Sequence, residues 1–121
     1  MEAKKKILLA DDDKNFGFIL KNELEDENYD VDLYTDGVEA VLGFISAAYD
    51  LVLLDVKMPR LDGISTLRII KKLRPETPAV IFSGNATPHD MAESVQVGEI
   101  TYFDKPFEIK ALKSYIKNYI L

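Results

Sequence analysis

Two hydrophobic periods alternate along the chain. Short apolar runs stand at Ile7–Ala10, Val31–Tyr34, Leu51–Leu54, Ala79–Phe82 and Ile100–Phe103. Their length and β-branched content predict strands, most of them buried on both faces. The segments between them carry apolar residues at helical spacing. Phe16, Ile19, Leu20 and Leu24 make a first stripe, and Val41, Leu42 and Ile45 a second. Ile64, Leu67 and Ile70 make a third, which gives way to charge at Lys71 and Lys72. Met91 and Val95 mark a fourth, and Leu112, Tyr115, Ile116 and Tyr119 a fifth.

Helix-start and helix-stop chemistry agrees with these bounds. Asp36 with Glu39 three residues on has the form of a capping box. In Thr87-Pro88-His89-Asp90 the threonine can cap, the proline fits the first helical position and Asp90 can reach back. Asp62 can open the third helix, and Gly98 can close the fourth.

The pattern is therefore five strands alternating with five helices. Right-handed crossovers turn this into a doubly wound α/β fold, a parallel five-stranded sheet covered on both faces. A chain of 121 residues fits one domain, residues 1–121, with no internal repeat or linker. It ends inside the last helical pattern, so no tail is expected.

Composition narrows the chemistry. The net charge of -6 argues against direct nucleic-acid binding, which needs clustered Lys and Arg. With no cysteine, disulfides, thiolate-bound zinc and thiol catalysis are excluded. The single histidine, His89, argues against a multi-histidine metal site or a Ser-His-Asp triad; it follows Pro88 and is expected to be exposed. The apolar run after Lys4, Lys5 and Lys6 is too short for a signal peptide or a membrane span. A cytoplasmic protein with no membrane contact is expected.

In an open α/β sheet, ligands bind beyond the carboxyl ends of the strands. The first strand is followed by Asp11, Asp12 and Asp13, and the third by Asp55 and then Lys57-Met58-Pro59. The fourth is followed by Ser83-Gly84-Asn85 and the fifth by Asp104-Lys105-Pro106. Crowded carboxylates repel unless some are protonated or a cation joins them. Hard oxygen ligands in a partly hydrated cluster suit Mg²⁺, with Mn²⁺ as the alternative. Lys105 adds a second positive charge, Ser83 a hydroxyl donor, and Gly84 room for a phosphoryl group. Asp55, at the centre of the sheet, is placed as a nucleophile of the aspartyl-phosphate kind.

In their order and spacing these segments resemble the receiver domain of two-component response regulators, the CheY-like, flavodoxin-like fold. The motifs that carry the resemblance are Ile7-Leu-Leu-Ala-Asp-Asp-Asp13, Asp50-Leu-Val-Leu-Leu-Asp-Val-Lys-Met-Pro59 with Asp62-Gly63, Val80-Ile-Phe-Ser-Gly84 and Tyr102-Phe-Asp-Lys-Pro-Phe107. Together they cover essentially the whole chain. The resemblance implies strand order 2-1-3-4-5 and phosphorylation of Asp55 by a histidine kinase or histidine phosphotransfer protein. It implies that Asp12 and Asp55 bind Mg²⁺ by carboxylates, Lys57 by its backbone carbonyl and Asp11 through water, leaving Asp13 to start the first helix. It further implies that Ser83 and Lys105 contact the phosphoryl group. Movement of Ser83 would then let Tyr102 turn inward and remodel the face of the fourth helix, fifth strand and fifth helix for an effector or a homodimer partner. A cis bond before Pro106 is implied as well. Such a domain catalyses only its own phosphorylation and dephosphorylation and is not a turnover enzyme.

Some positions depart from the family pattern. Ala10 replaces the usual valine, Ser83 the commoner threonine, and Glu99-Ile100 after Gly98 is atypical. Lys57 and Asn85 stand where the family tunes phosphoryl lifetime. The chain also differs from two rival classes. A haloacid-dehalogenase-type phosphatase needs an acid at position 57, and a flavodoxin-like flavin binder needs a hydroxyl- and Gly-rich loop at 11–13. A receiver kept only as a binding module remains a further alternative.

The first stripe leaves Phe18 pointing outward, beside Gly17, which weakens the helix by about 1 kcal/mol relative to Ala. Asn15, Gly17 and Phe18 are the candidate contacts with the phosphodonor. Lys110, Lys113 and Lys117 read as a solvated face of the last helix.

Overall fold

The computed structural model describes residues 4–84, 87–89, 92, 101–105 and 107–119. The elements are β1 (Lys6–Ala10), α1 (Lys14–Asp26), β2 (Asp30–Tyr34), α2 (Gly37–Ser46), β3 (Leu51–Asp55), α3 (Gly63–Leu73), β4 (Ala79–Ser83), β5 (Thr101–Asp104) and α4 (Ile109–Tyr119). α4 is thus the fifth helix of the sequence pattern. The fourth, with Met91, Val95 and its closing Gly98, lies outside the described residues, as do Asn85 and the Lys105–Pro106 bond.

All five strands pair in parallel, in the order β2-β1-β3-β4-β5. Because strand side chains alternate faces, the continuous apolar runs serve two cores. Leu8, Val52, Leu54 and Ile81 meet Ala40, Phe44, Leu67 and Ile70 of α2 and α3 on one side. Ile7, Leu9, Leu53 and Phe82 meet Leu20, Leu24, Leu112 and Ile116 of α1 and α4 on the other.

Three aspartates start three helices. Asp13, Asp36 and Asp62 accept the N–H groups of Phe16, Glu39 and Ser65 at 3.1, 2.8 and 2.8 Å. Among the described residues, no helix is long and apolar enough to cross a membrane.

Two predicted stripes need correction. In α1 the buried face is Gly17, Leu20 and Leu24, while Ile19 is 53% exposed. Gly17 lets the helix settle onto β2, for a Cβ there would stand 2.9 Å from Leu33 Cδ1. In α2 the buried face is Gly37, Ala40 and Phe44, while Leu42 and Ile45 are 59% and 58% exposed. The small residues bring α2 close to its neighbours and Phe44 fills the space behind. The last helix is corrected too: Lys113 is no solvated side chain, because its Nζ binds Glu23 at 2.7 Å and Glu27 at 3.5 Å, tying α4 to α1. Lys110 and Lys117 are exposed as expected.

Candidate functional site

Strand register sets the site. Ala10 lies beside Leu54, Asp55 beside Phe82, and Ser83 beside Asp104. The residues that end or follow β1, β3, β4 and β5 therefore arrive at one rim. Backbone bonds extend the register past the strand ends: the Val56 N–H donates to the Phe82 carbonyl at 3.1 Å and the Lys105 N–H to the Ser83 carbonyl at 3.0 Å.

Asp12, Asp55, Lys57, Ser83, Gly84 and Lys105 line a cleft of about 270 Å³ there. One carboxylate oxygen from each of Asp11, Asp12 and Asp55 falls in a cluster whose atoms all lie within 4.8 Å of one another. Asp11 is fully buried, Asp55 nearly so, and Asp12 exposed. Both Asp11 oxygens are engaged: Oδ1 accepts the Asp13 N–H at 2.9 Å, and Oδ2 meets Lys105 Nζ at 2.7 Å. The same Nζ lies 3.8 Å from Asp55 Oδ2.

The electrostatics follow from that crowding. Burial, then the Asp11 charge, pushes the Asp55 carboxyl up to about 7, with Lys105 pulling the other way. Three crowded carboxylates disfavour one another's ionised forms, and Lys105 offsets that only in part at Asp55.

Of the sequence-predicted set, Asp11, Asp12, Asp55, Lys57, Ser83 and Lys105 come together. Asp13 stands apart as the α1 cap. Tyr102 sits beside the cleft, half-buried against the α2–α3 core, with its hydroxyl donating to the Ser83 carbonyl at 3.3 Å. A Cβ on Gly84 would lie 3.6 Å from the nearest Lys105 atoms, an ordinary contact, so no described neighbour demands glycine there. Asn15 and Phe18 are exposed on α1, but Gly17 faces Leu33 and cannot belong to a surface they form.

Two site residues escaped the pattern. The Lys105 ammonium sits 4.3 Å from the Phe16 ring centroid and 5.2 Å from that of Phe82, held between aromatic faces. Both phenylalanines read as core along the chain; only the approach of α1 to the end of β4 joins them to Lys105.

The model of the response regulator receiver domain family matches residues 7–117. Among curated relatives, the response regulator ArlR of Staphylococcus saprophyticus is 35% identical over 112 residues, covering 93% of this chain and 50% of that protein. The transcriptional regulatory protein RprY of Bacteroides fragilis is 32% identical, covering 93% and 48%. The chain spans about half the length of these relatives. A CheY-like receiver domain protein from Methanospirillum hungatei superposes with a TM-score of 0.93 at 29% identity, covering 96% of this chain and 93% of that one. The receiver domain of the sensor histidine kinase PA1611 from Pseudomonas aeruginosa, solved with magnesium in its active-site cleft, superposes with a TM-score of 0.87 at 30% identity, covering 98% of each chain.

Proposed function

The chain belongs to the response regulator receiver domain family, and from that premise we propose that it is a phosphorylation-dependent signalling switch with Asp55 as the phosphoryl acceptor. One observation carries the assignment. A nearly buried carboxylate stands at the end of the central strand, in a cleft shared with two acids, a hydroxyl and an ammonium.

The donor set fits a hard divalent cation, Mg²⁺ or Mn²⁺. Asp12 and Asp55 would bind it directly, Lys57 by its carbonyl and Asp11 through water; the engagement of both Asp11 oxygens supports the indirect role. When bound, the cation neutralises the acids and the incoming phosphoryl oxygens. An Asp55 oxygen attacks phosphorus as the bond from phosphorus to the donor's histidine nitrogen breaks, and that nitrogen keeps the electron pair. Lys105 and Ser83 hold the phosphoryl oxygens by charge and hydrogen bonding.

The output follows from the hydroxyl. As Ser83 moves toward the phosphoryl group, Tyr102, whose hydroxyl donates to the Ser83 backbone carbonyl, turns inward and the β5–α4 face is remodelled, shifting the population between two conformations. A histidine kinase or phosphotransfer protein is the donor, and an effector or a second copy reads the remodelled face. Asn15 and Phe18, joined by exposed Ile19, form the donor-docking patch on α1.

Acetyl phosphate with Mg²⁺ should label the wild type, by a phosphoryl mass increase, and leave Asp55→Asn unlabelled. Failure to label the wild type would replace the switch with a plain binding module. Phe18→Ala should keep acetyl phosphate labelling and slow transfer from the cognate donor; an unchanged transfer rate would remove the docking patch.

A further inference from the structure

Helix α2 reads Gly-Val-Glu-Ala-Val-Leu-Gly-Phe-Ile-Ser and carries a single charge, Glu39. Its inner face, Gly37, Ala40 and Phe44, is buried against the sheet and α3. Its outer face holds a second apolar stripe, Val38, Val41, Leu42 and Ile45, at the i, i+3, i+4, i+7 spacing of one helix side. The two valines are half-buried, while Leu42 and Ile45 are, among the described residues, two of the most exposed large aliphatic side chains. A helix that is apolar on both sides at a protein surface marks a place where something packs.

The chemistry around the stripe selects the occupant. Leu42 lines an open groove of about 420 Å³ together with Tyr34, Glu39, Gly43 and Ser46. Glu39 is exposed and makes no ion pair among the described residues. Arg60, the cation that reaches the start of α2, is committed to Asp36. The groove therefore presents apolar contact beside uncompensated negative charge. A second copy would bring this acidic face against itself. An anionic membrane surface is repelled for the same reason.

We propose that the outer face of α2 docks a cationic amphipathic helix of another protein. The helix lays its apolar side on Val38, Leu42 and Ile45 and sets a Lys or Arg against Glu39. The surface lies at the β2 edge of the sheet, separate from the Asp55 cleft, and does not depend on the phosphoryl chemistry.

The test uses two synthetic helical peptides of one pattern, leucine with lysine and leucine with glutamate, titrated into the isotope-labelled chain. The lysine peptide should shift the amide resonances of α2 and Tyr34, and the glutamate peptide should not. Leu42→Ser with Ile45→Ser should weaken binding at least about tenfold, with melting unchanged because both side chains point outward. Glu39→Lys, which alters only an exposed charge, should reverse the preference between the peptides. Shifts centred on Asp11–Asp13, equal binding of both peptides, or no reversal by Glu39→Lys would overturn the proposal. So would self-association of the free chain that Ile45→Ser abolishes.

Discussion

The Arg60 guanidinium holds the Asp36 carboxylate at 2.9 Å, while the other Asp36 oxygen accepts the Glu39 N–H at 2.8 Å. One carboxylate thus caps α2 and grips the loop that leads from Asp55 to α3. The Glu39 N–H, and to a lesser degree Arg60, hold the Asp36 carboxyl below its ordinary range. Arg60 reaches it from a left-handed backbone, φ 66°.

A left-handed residue with a Cβ carries a penalty of about 1 kcal/mol that glycine escapes. Arg60→Gly and Arg60→Ala lose the same ion pair, so their difference isolates the backbone. Arg60→Gly should be more stable by about 1 kcal/mol in urea unfolding. Equal midpoints would mean that the loop relaxes and the left-handed conformation is not enforced.

Two glycines make opposite predictions. A Cβ on Gly63 would stand 2.0 Å from the Asp55 carbonyl oxygen and 2.9 Å from Val56 Cα, both backbone. Gly63→Ala must therefore push α3 off the end of β3, costing roughly 1–3 kcal/mol or more and weakening Mg²⁺ binding. At Gly17 the obstacle is the flexible tip of Leu33. Gly17→Ala gains about 1 kcal/mol of helix propensity against that adjustment, so it should be near neutral. Thermal unfolding of both variants, with Mg²⁺ titrations, checks the contrast.

Lys105 joins two roles that one substitution separates. It neutralises the fully buried Asp11 at 2.7 Å, so Lys105→Ala should destabilise the metal-free protein by about 3 kcal/mol. Mg²⁺ should recover part of that loss. Labelling of Asp55 by acetyl phosphate should stay slowed on the order of 100-fold even at saturating Mg²⁺, because the contact to the transferred group is gone. A rate restored by Mg²⁺ alone would confine Lys105 to a structural role.

The sheet was readable because its central strands, buried on both faces, must be continuous in apolar residues, and the site because β1, β3, β4 and β5 each end in or run into a polar group. Ile7–Ala10 followed by Asp11, and Leu51–Leu54 followed by Asp55, state both facts locally. The helix faces were less readable. In α2 nearly every residue is apolar, so a 3.6-residue period fits two sides equally. The choice of Gly37, Ala40 and Phe44 over Leu42 and Ile45 rests on how closely the helix approaches Leu61 and Thr66, beside it on the same face of the sheet. Gly17 was misplaced for a related reason: a residue without a side chain adds nothing to a hydrophobic stripe, yet it marks the closest packing. The Asp36–Arg60 bridge joins residues far apart in sequence, and no local signal announces it.

The Asp55 carboxyl sets the pH response. It titrates near 7 because burial, then the charge of Asp11, disfavours its ionised form. The folded state therefore holds a proton that the unfolded chain releases near pH 4. A group raised in this way stabilises the fold at low pH, and its contribution is lost as the pH rises through about 7. In chelator, the wild type should lose urea resistance between about pH 5 and about pH 8, and Asp55→Asn should lose less over that interval. Binding of Mg²⁺ requires the ionised form, so its affinity should climb with pH up to about 7 and then level. Saturating Mg²⁺ should flatten the stability profile of the wild type and change that of Asp55→Asn far less. If the Mg²⁺ affinity of the wild type is the same at both ends of the interval, Asp55 is already ionised at low pH. The three-acid cluster would then not hold the proton that the cation has to displace.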